Sequence, residues 1–227
     1  GNPIGYNGAI VFAEAVGSGA LPFLEKIWLG GKQIGDVGVT ALATAVGNGL
    51  LPQLEKLWLC DNQIGTDGVA ALATAVGSLP SFKLLELGRN SIGDAGVTAI
   101  ATAVANGALP LLEQLHLQGN NIGDDGVIAL AEALGNHGAL PVLRGLNLGS
   151  NAIGDSGILA LATELGKGAL PNLKDLYLNH NSIGDDGMIA LADALGNGAL
   201  ASLTDLFMYT TAPALQAACK AHGIKYH

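Results

Sequence analysis

The side chains that could do chemistry are few, and their spacing does not bring them together. His116 and His180 are the candidates for zinc, but a zinc site needs at least one further convergent ligand. Cys60 is the candidate nucleophile, yet the neighbouring Asp61 carboxylate should raise the pKa of the thiol and so weaken it. The chain also has no Gly-Lys-Ser/Thr phosphate loop and no G-x-S-x-G elbow. We therefore predict no catalytic residues, no metal, no cofactor and no enzymatic activity.

Composition and charge narrow the class of partner and the compartment. The formal net charge is −9, which disfavours nucleic acid and anionic membrane surfaces as partners. No apolar run approaches the roughly 18 residues of a membrane span. Cys60 and Cys219, the two cysteines, lie far apart, so a disulfide framework is not expected. A reducing compartment follows, and we predict a cytoplasmic protein.

A repeat of about thirty residues organises the whole chain. Leu-Pro pairs recur at intervals of 28–31 residues, and Leu-Ala takes the last place; they begin at Leu21, Leu51, Leu79, Leu109, Leu140, Leu170 and Leu200. After each pair comes the pattern L-x-x-L-x-L-x-x-N-x-I, as in Leu112, Leu115, Leu117, Asn120 and Ile122. A fixed period of this length is typical of proteins built from stacked structural units.

Each unit reads as a short strand followed by a helix. The leucines of the L-x-L segment point to one side of a strand and the intervening residues to the other. Val39, Leu42, Ala43 and Val46 lie on one face of the following helix. Because one unit cannot bury this apolar face alone, the units must stack. Strands stack about 4.8 Å apart and helices about 8–10 Å apart, so the array should curve, with strands on the concave side.

These motifs resemble the leucine-rich repeat family, and in particular its long ribonuclease-inhibitor-like class. That class includes the recognition domains of NOD-like receptors and the Ran GTPase-activating protein. The resemblance covers essentially the whole chain and implies an α/β right-handed solenoid, or horseshoe. In such a fold a parallel sheet lines the concave face and α-helices line the convex face.

The repeat divides the chain into one domain, residues 1–227, with atypical ends. Residues 1–20 form a partial repeat, in which Asn2 and Ile4 match the motif; residues 21–199 form six complete repeats, and residues 200–227 form a degenerate repeat and a cap. In the last unit Thr211 stands where asparagine belongs, residues 213–222 read as a helix, and residues 224–226 can form a final strand. Because the first helix lacks its strand, we expect a fragment or a trimmed chain. The strand at residues 24–29 would then be an open edge that can pair with a second copy as a homodimer.

Two sets of polar residues recur for structural reasons. In five units an aspartate stands at or near the start of the predicted helix, where it can cap free N–H groups, and in one unit Thr66 takes that position. The aspartates are Asp36, Asp94, Asp124, Asp155 and Asp185. Their spacing of one unit is too wide for a calcium loop. Asparagines follow the strands, where their side chains should satisfy backbone groups in the bend: Asn62, Asn90, Asn120, Asn151 and Asn181.

The outward-pointing strand residues vary between units, so packing does not dictate them. The central column contains Trp28, Trp58, Glu86, His116, Asn147, Tyr177 and Phe207. Aromatic residues and arginine are common anchors of protein interfaces, and we predict these partner-binding residues: Trp28, Trp58, Glu86, Arg89, His116, Tyr177, Phe207 and Tyr209. The alternative is that the rings simply stack on their neighbours in the next strand.

The sequence therefore favours a module that binds a protein or peptide on the concave strand face. Resemblance to the Ran GTPase-activating protein leaves a GTPase-activating or other regulatory role as an alternative, although no dedicated catalytic loop is visible. A second alternative is a structural or sensor segment of a longer NOD-like receptor-type chain. The motif itself specifies architecture more sharply than function.

Overall fold

The computed structural model of the protein describes residues 5–19, 21–31, 33–136, 138–209 and 212–227, in which helices and strands alternate. The helices are α1 (Gly5–Gly17), α2 (Gly35–Gly47), α3 (Thr66–Val76), α4 (Gly93–Ala105), α5 (Asp124–Leu134), α6 (Asp155–Gly166), α7 (Asp185–Gly196) and α8 (Pro213–Ala221). The strands are β1 (Lys26–Trp28), β2 (Lys56–Trp58), β3 (Leu84–Glu86), β4 (Gln114–His116), β5 (Gly145–Asn147), β6 (Asp175–Tyr177), β7 (Asp205–Phe207) and β8 (Lys225–Tyr226). Asn2, Ile4 and Thr211, which served to define the end units, lie outside the described residues.

The strands form one parallel sheet in sequence order, from β1 to β8. Equivalent positions of successive units are in register, so that Leu57 is aligned with Ile27 on one side and with Leu85 on the other. Each helix packs against the helix of the next unit. The predicted α/β solenoid is confirmed, and the thirty-residue period is a packing period. The final helix and strand predicted near the C-terminus are also present, as α8 and β8.

A single apolar core runs through the stack, because strand leucines meet helix aliphatic residues inside every unit. In the second complete unit Leu57, Leu59, Ile64, Val69 and Leu72 are all fully buried. Burying such side chains contributes about 1.5–3 kcal/mol each relative to exposure. Among the described residues no helix is both long enough and apolar enough to cross a membrane.

The asparagine column joins neighbouring units, as its spacing predicted. The Asn120 side chain is fully buried; its Nδ2 donates to the carbonyls of Leu87 and Leu117, at 2.9 and 3.0 Å, and its Oδ1 accepts from the backbone N–H of Ile92 at 3.4 Å. Asn151 Oδ1 accepts in turn from the backbone N–H of Asn120 at 2.8 Å. Each asparagine thus satisfies backbone groups of its own bend and of the preceding unit, which is the structural role predicted for it.

The aspartates cap helices, but not the helices that they begin, so the sequence-based prediction was wrong on this point. Asp124 Oδ1 accepts from the backbone N–H groups of Gly154 and Gly157, at 2.7 and 3.0 Å, and so caps α6 instead of its own helix. The same pair of bonds leads from Asp36, Asp94 and Asp155 to the next helix in the stack. The reason is stacking, which places the first turn of each helix beside the free N–H groups of the following one.

This capping fixes the conformation of the glycine before each helix. Where the preceding unit supplies an aspartate, that glycine is extended, with φ of −103° at Gly65, −102° at Gly123, −105° at Gly154 and −95° at Gly184. At the start of α3, Thr66 stands where the other units have the capping aspartate, so α4 receives no carboxylate. Its first glycine, Gly93, instead has φ of +61° and donates to the carbonyl of Asn120. The second glycine of the motif serves a different purpose. At Gly126 an added Cβ would lie 2.6 Å from Asp94 Oδ1, so only glycine admits the carboxylate.

Replacing Asp124 with alanine should therefore destabilise the fold by about 1–2 kcal/mol, the usual effect of removing a helix cap. The loss is expected because Gly154 and Gly157 would each lose a hydrogen-bond acceptor. Urea denaturation followed by circular dichroism measures it. The adjacent Asp125 is exposed, so Asp125→Ala is the matched control and should change the free energy of unfolding by less than about 0.5 kcal/mol. Equal effects of the two substitutions would contradict capping between units.

Candidate partner-binding face

The outward-pointing residues of β1–β7 form a continuous surface, called the strand face below. In its central column Trp28 is aligned with Trp58, Trp58 with Glu86, and Glu86 with His116. Asn147, Tyr177 and Phe207 continue the column across β5, β6 and β7. The sheet therefore brings the predicted central-column residues together.

At the β1 end of the strand face the two tryptophans stack on each other. Their ring centroids are 5.7 Å apart and their planes are inclined by 26°. Trp28 is nevertheless 75% exposed, whereas Trp58 is half-buried. Stacking thus orders the pair and leaves a large apolar surface open to solvent, and such a surface is typical of an interface anchor.

The centre of the strand face is a hydrogen-bonded polar cluster built on Glu86. One Glu86 carboxylate oxygen lies 2.6 Å from Nδ1 of His116, and the other accepts from the Gly88 backbone at 2.8 Å and from Gln118 at 3.0 Å. Glu86 is only 7% exposed, since these donors enclose it. That Glu86 contacts a partner stays a prediction; its carboxylate holds His116 and Gln118, which lie beside it on the face.

At the β7 end a second aromatic stack covers the sheet. The rings of Tyr177 and Phe207 are 4.1 Å apart and nearly parallel. The His227 ring stacks on Phe207 as well, at 4.5 Å. Tyr209 is 71% exposed and meets His180 edge to face at 5.0 Å. His227 was missed by the sequence analysis, because it belongs to no repeat and reaches the stack from the segment after β8.

Two aspartates lie beside this second stack in very different surroundings. Asp205 accepts from His227 Nε2 at 3.0 Å and has Lys225 Nζ at 3.8 Å. Its pKa is held below the usual aspartate value, mainly by hydrogen bonds from His227 and Thr204. The carboxylate of Asp175, the register partner of Asp205, has no direct hydrogen bond or ion pair within the described residues, and burial followed by the Asp205 charge raises its pKa.

The raised pKa of Asp175 predicts a stability that depends on pH. Its carboxyl loses a proton less readily in the folded chain than in the unfolded chain, so its contribution to the free energy of unfolding falls as pH rises through the range above the ordinary value of 3.8. Asp175→Asn removes this loss and should raise the midpoint of urea denaturation at about pH 7. Below about pH 3.8 the difference from the wild-type chain should vanish. A variant less stable than wild type at neutral pH would contradict the assignment.

The remaining predicted residue on this surface, Arg89, is exposed and pairs with Asp61, its Nε lying 3.4 Å from the carboxylate. Cys60 lies next to this pair and is half-buried. Burial, followed by the charges of Glu86 and Asp61, raises the pKa of the Cys60 thiol, which keeps it in its weakly nucleophilic protonated form. Within the described residues no three histidine, cysteine or acidic side chains are grouped so that they could hold a metal ion.

Comparison with known proteins agrees with this architecture. A search of curated protein sequences finds no match. Of the solved structures, 103 chains match, and one of them is the leiomodin-1 actin-binding site 2. Its TM-score is 0.56 at 17% sequence identity, over 69% of this chain and 86% of that one, which shows a shared fold.

The family is identified from the sequence profile described as "Leucine Rich repeat". It matches five successive segments, which together make up about half of the chain: residues 52–73, 78–101, 108–131, 139–162 and 169–192. Each segment begins at or near the Leu-Pro pair and ends within the helix of the same unit. With the parallel sheet, the buried leucines and the asparagine column described above, these matches show that the chain belongs to the leucine-rich repeat family.

Proposed function

We propose that this chain is a protein-interaction module that binds a protein or peptide on its strand face. The observation that carries the proposal is the contrast between the two kinds of strand position. Inward positions are aliphatic in unit after unit, whereas the outward ones vary and include exposed rings such as Trp28 and Tyr209. Since packing does not require large exposed aromatic side chains, a binding role gives a reason for their presence.

The chemistry of the face fits a protein surface better than a small molecule. It offers two separated aromatic stacks with a hydrogen-bonded cluster between them, which is the mixture of apolar anchors and polar contacts common to protein interfaces. The similar leiomodin-1 structure is an actin-binding site, so the partner of that protein is itself a protein. This supports the class of partner proposed here and does not identify it.

A differential capture experiment tests the proposal. The immobilised chain is exposed to an extract of its source cells, and the retained proteins are compared between wild type and the variant Trp28→Ala plus Trp58→Ala. The matched control is Val37→Ala plus Leu159→Ala, since these side chains are 56% and 57% exposed on helices α2 and α6. We expect a partner that the tryptophan variant loses and the helix variant retains. If the tryptophan variant retained the partner and the folded helix variant lost it, the binding surface would lie on the helices and the proposal would be wrong.

A further inference from the structure

Strand β5 carries small outward side chains, and the surface above it that lies between Gln114, Asp175 and Tyr177 is called the notch. The outward-pointing residues of β5 are Gly145 and Asn147, and Gly149 follows in the next column, whereas the strands on both sides carry larger groups. On the β4 side Gln114 leans over the glycine, so that its amide oxygen occupies the space into which a Gly145 side chain would project. On the β6 side Asp175 is the register partner of the same glycine. The notch thus has an oxygen acceptor on each side: the Asp175 carboxylate, and the Gln114 amide oxygen, which also lies 3.2 Å from His116 Nε2 and has a second lone pair.

The carboxylate of Asp175 is the unneutralised group in this notch. His227 and Lys225 both approach Asp205, and Asp175 receives neither of them as a direct partner. The side chains of Lys174 and Lys225 affect Asp175 only through longer-range attraction, and the net effect of its surroundings is to raise its pKa. Like charges directly opposite each other on adjacent strands are unfavourable. A cation placed beside Asp175 would relieve this repulsion.

The third side of the notch is aromatic. Tyr177 stacks on Phe207 on one side, and on the other its neighbour in the column is the smaller, non-aromatic Asn147. The guanidinium group of arginine is planar, stacks on aromatic rings and donates to carboxylates and carbonyl oxygens in a fixed geometry. A tyrosine ring with an unpaired carboxylate and an amide oxygen beside it suits that group better than it suits the compact ammonium group of lysine.

We propose that the notch over β5, bounded by Gln114, Asp175 and Tyr177, binds one arginine side chain of the partner protein. The proposal rests on the proposed function, since it names a contact within the strand face. The proposal also predicts a feature of the partner: a protruding arginine beside a surface that contacts the Tyr177–Phe207 stack. The net charge of −9 favours the approach of such a cationic segment.

The test uses a synthetic peptide that has one arginine among glycine, serine and alanine residues and blocked termini. A second peptide has citrulline in place of arginine, which keeps the shape and removes the charge. Each is titrated to about 10 mM, a range in which weak single-residue contacts are measurable, while the ring signals of Tyr177 and Phe207 are followed by NMR. We expect the arginine peptide to shift these signals and the citrulline peptide to bind at least about tenfold more weakly.

Three variants separate this contact from a structural effect. Asp175→Asn should weaken arginine binding by at least about tenfold while it raises stability, so loss of the fold cannot explain the result. Gly145→Ala should also weaken binding, because the new methyl group displaces the flexible end of Gln114. Asp186→Asn removes an equal charge from an exposed position in α7 and should leave binding unchanged.

Several outcomes would overturn the proposal. It fails if the citrulline peptide binds as well as the arginine peptide, if Asp175→Asn leaves binding unchanged, or if no signal shifts. A third peptide, with lysine in place of arginine, tests the choice of guanidinium over ammonium, and equal binding of this peptide would overturn that choice. The proposed function would survive these results if the native partner were still lost with Trp28→Ala plus Trp58→Ala, so the two failures are distinguishable.

Discussion

Replacement of Asn120 by alanine is expected to lower the free energy of unfolding by about 3 kcal/mol or more. The side chain is fully buried, and its carboxamide bonds the carbonyls of Leu87 and Leu117 and the N–H of Ile92. Alanine would remove three hydrogen bonds in a place that solvent does not reach. The Ile92 N–H would lose its acceptor, and the carbonyls of Leu87 and Leu117 would keep only the bonds from Asn90 and Asn151. Each buried polar group left unsatisfied costs about 1–3 kcal/mol. Urea denaturation followed by circular dichroism gives the value directly.

The control for this prediction is an exposed asparagine whose side chain also forms a hydrogen bond to a neighbouring unit. Asn172 Nδ2 donates to the carbonyl of Pro141 at 2.8 Å, but the Asn172 side chain is exposed. Water replaces the lost bond there, so Asn172→Ala should cost less than about 1 kcal/mol. If the two substitutions cost the same, burial would not be the reason for the asparagine column.

The second large effect concerns binding. Replacing Trp28 and Trp58 together with alanine is expected to weaken the complex with the native partner at least about 100-fold, since each aromatic anchor at an interface commonly contributes 2 kcal/mol or more. Titration calorimetry with the purified partner measures the change in Kd. The stability of the free chain should change far less, because Trp28 is 75% exposed and its ring packs mainly on its neighbour.

The single substitutions should show that the two tryptophans act as a unit. The rings stack at 5.7 Å, so removal of either leaves the other without its support. The losses for Trp28→Ala and Trp58→Ala should therefore not add up to the loss for the double variant, with a coupling of about 0.5–1.5 kcal/mol. Val37→Ala plus Leu159→Ala, on the helices, should leave the Kd within about twofold. A helix variant as damaging as the tryptophan variant would contradict a strand-face site.

The architecture could be predicted from the sequence because the same packing problem recurs in every unit. Leucine, asparagine and glycine positions repeat wherever stacking demands them, and the order of the strands follows from the order of the repeats. The outward columns were predictable for the same reason, since the strands alternate and are in register. The assignment to the ribonuclease-inhibitor-like class, the division into partial and complete repeats, and the cytoplasmic location stay predictions.

The contacts between units were harder to predict, since they depend on the offset of one unit against the next. The sequence shows Asp124 at the start of α5 but not that its carboxylate reaches Gly154 and Gly157 of α6. Nor does it show that four of the leucines in the repeated Leu-Pro or Leu-Ala pairs adopt left-handed backbone conformations, Leu109 among them with φ of 63°. For the aspartates stacking, and not local propensity, decides which helix is capped.

Side chains from outside the repeat pattern, and buried side chains within it, account for the rest of what the sequence analysis missed on the strand face. His227 joins the Tyr177–Phe207 stack from the segment after β8, where no repeat position predicts it. Glu86 looks like an exposed acid in a variable column, but three donors converge on it and bury it. Asp175 was not singled out because its importance depends on which neighbours pair with Asp205.

Photo-cross-linking tests the central claim, that partners bind on the strand face, most directly. A benzophenone side chain is introduced in place of Lys56, which lies on β2 two residues before Trp58, or in place of Leu159 on helix α6. With the native partner bound, we expect efficient cross-linking from position 56 and only background from position 159. Efficient cross-linking from position 159 together with none from position 56 would contradict the account.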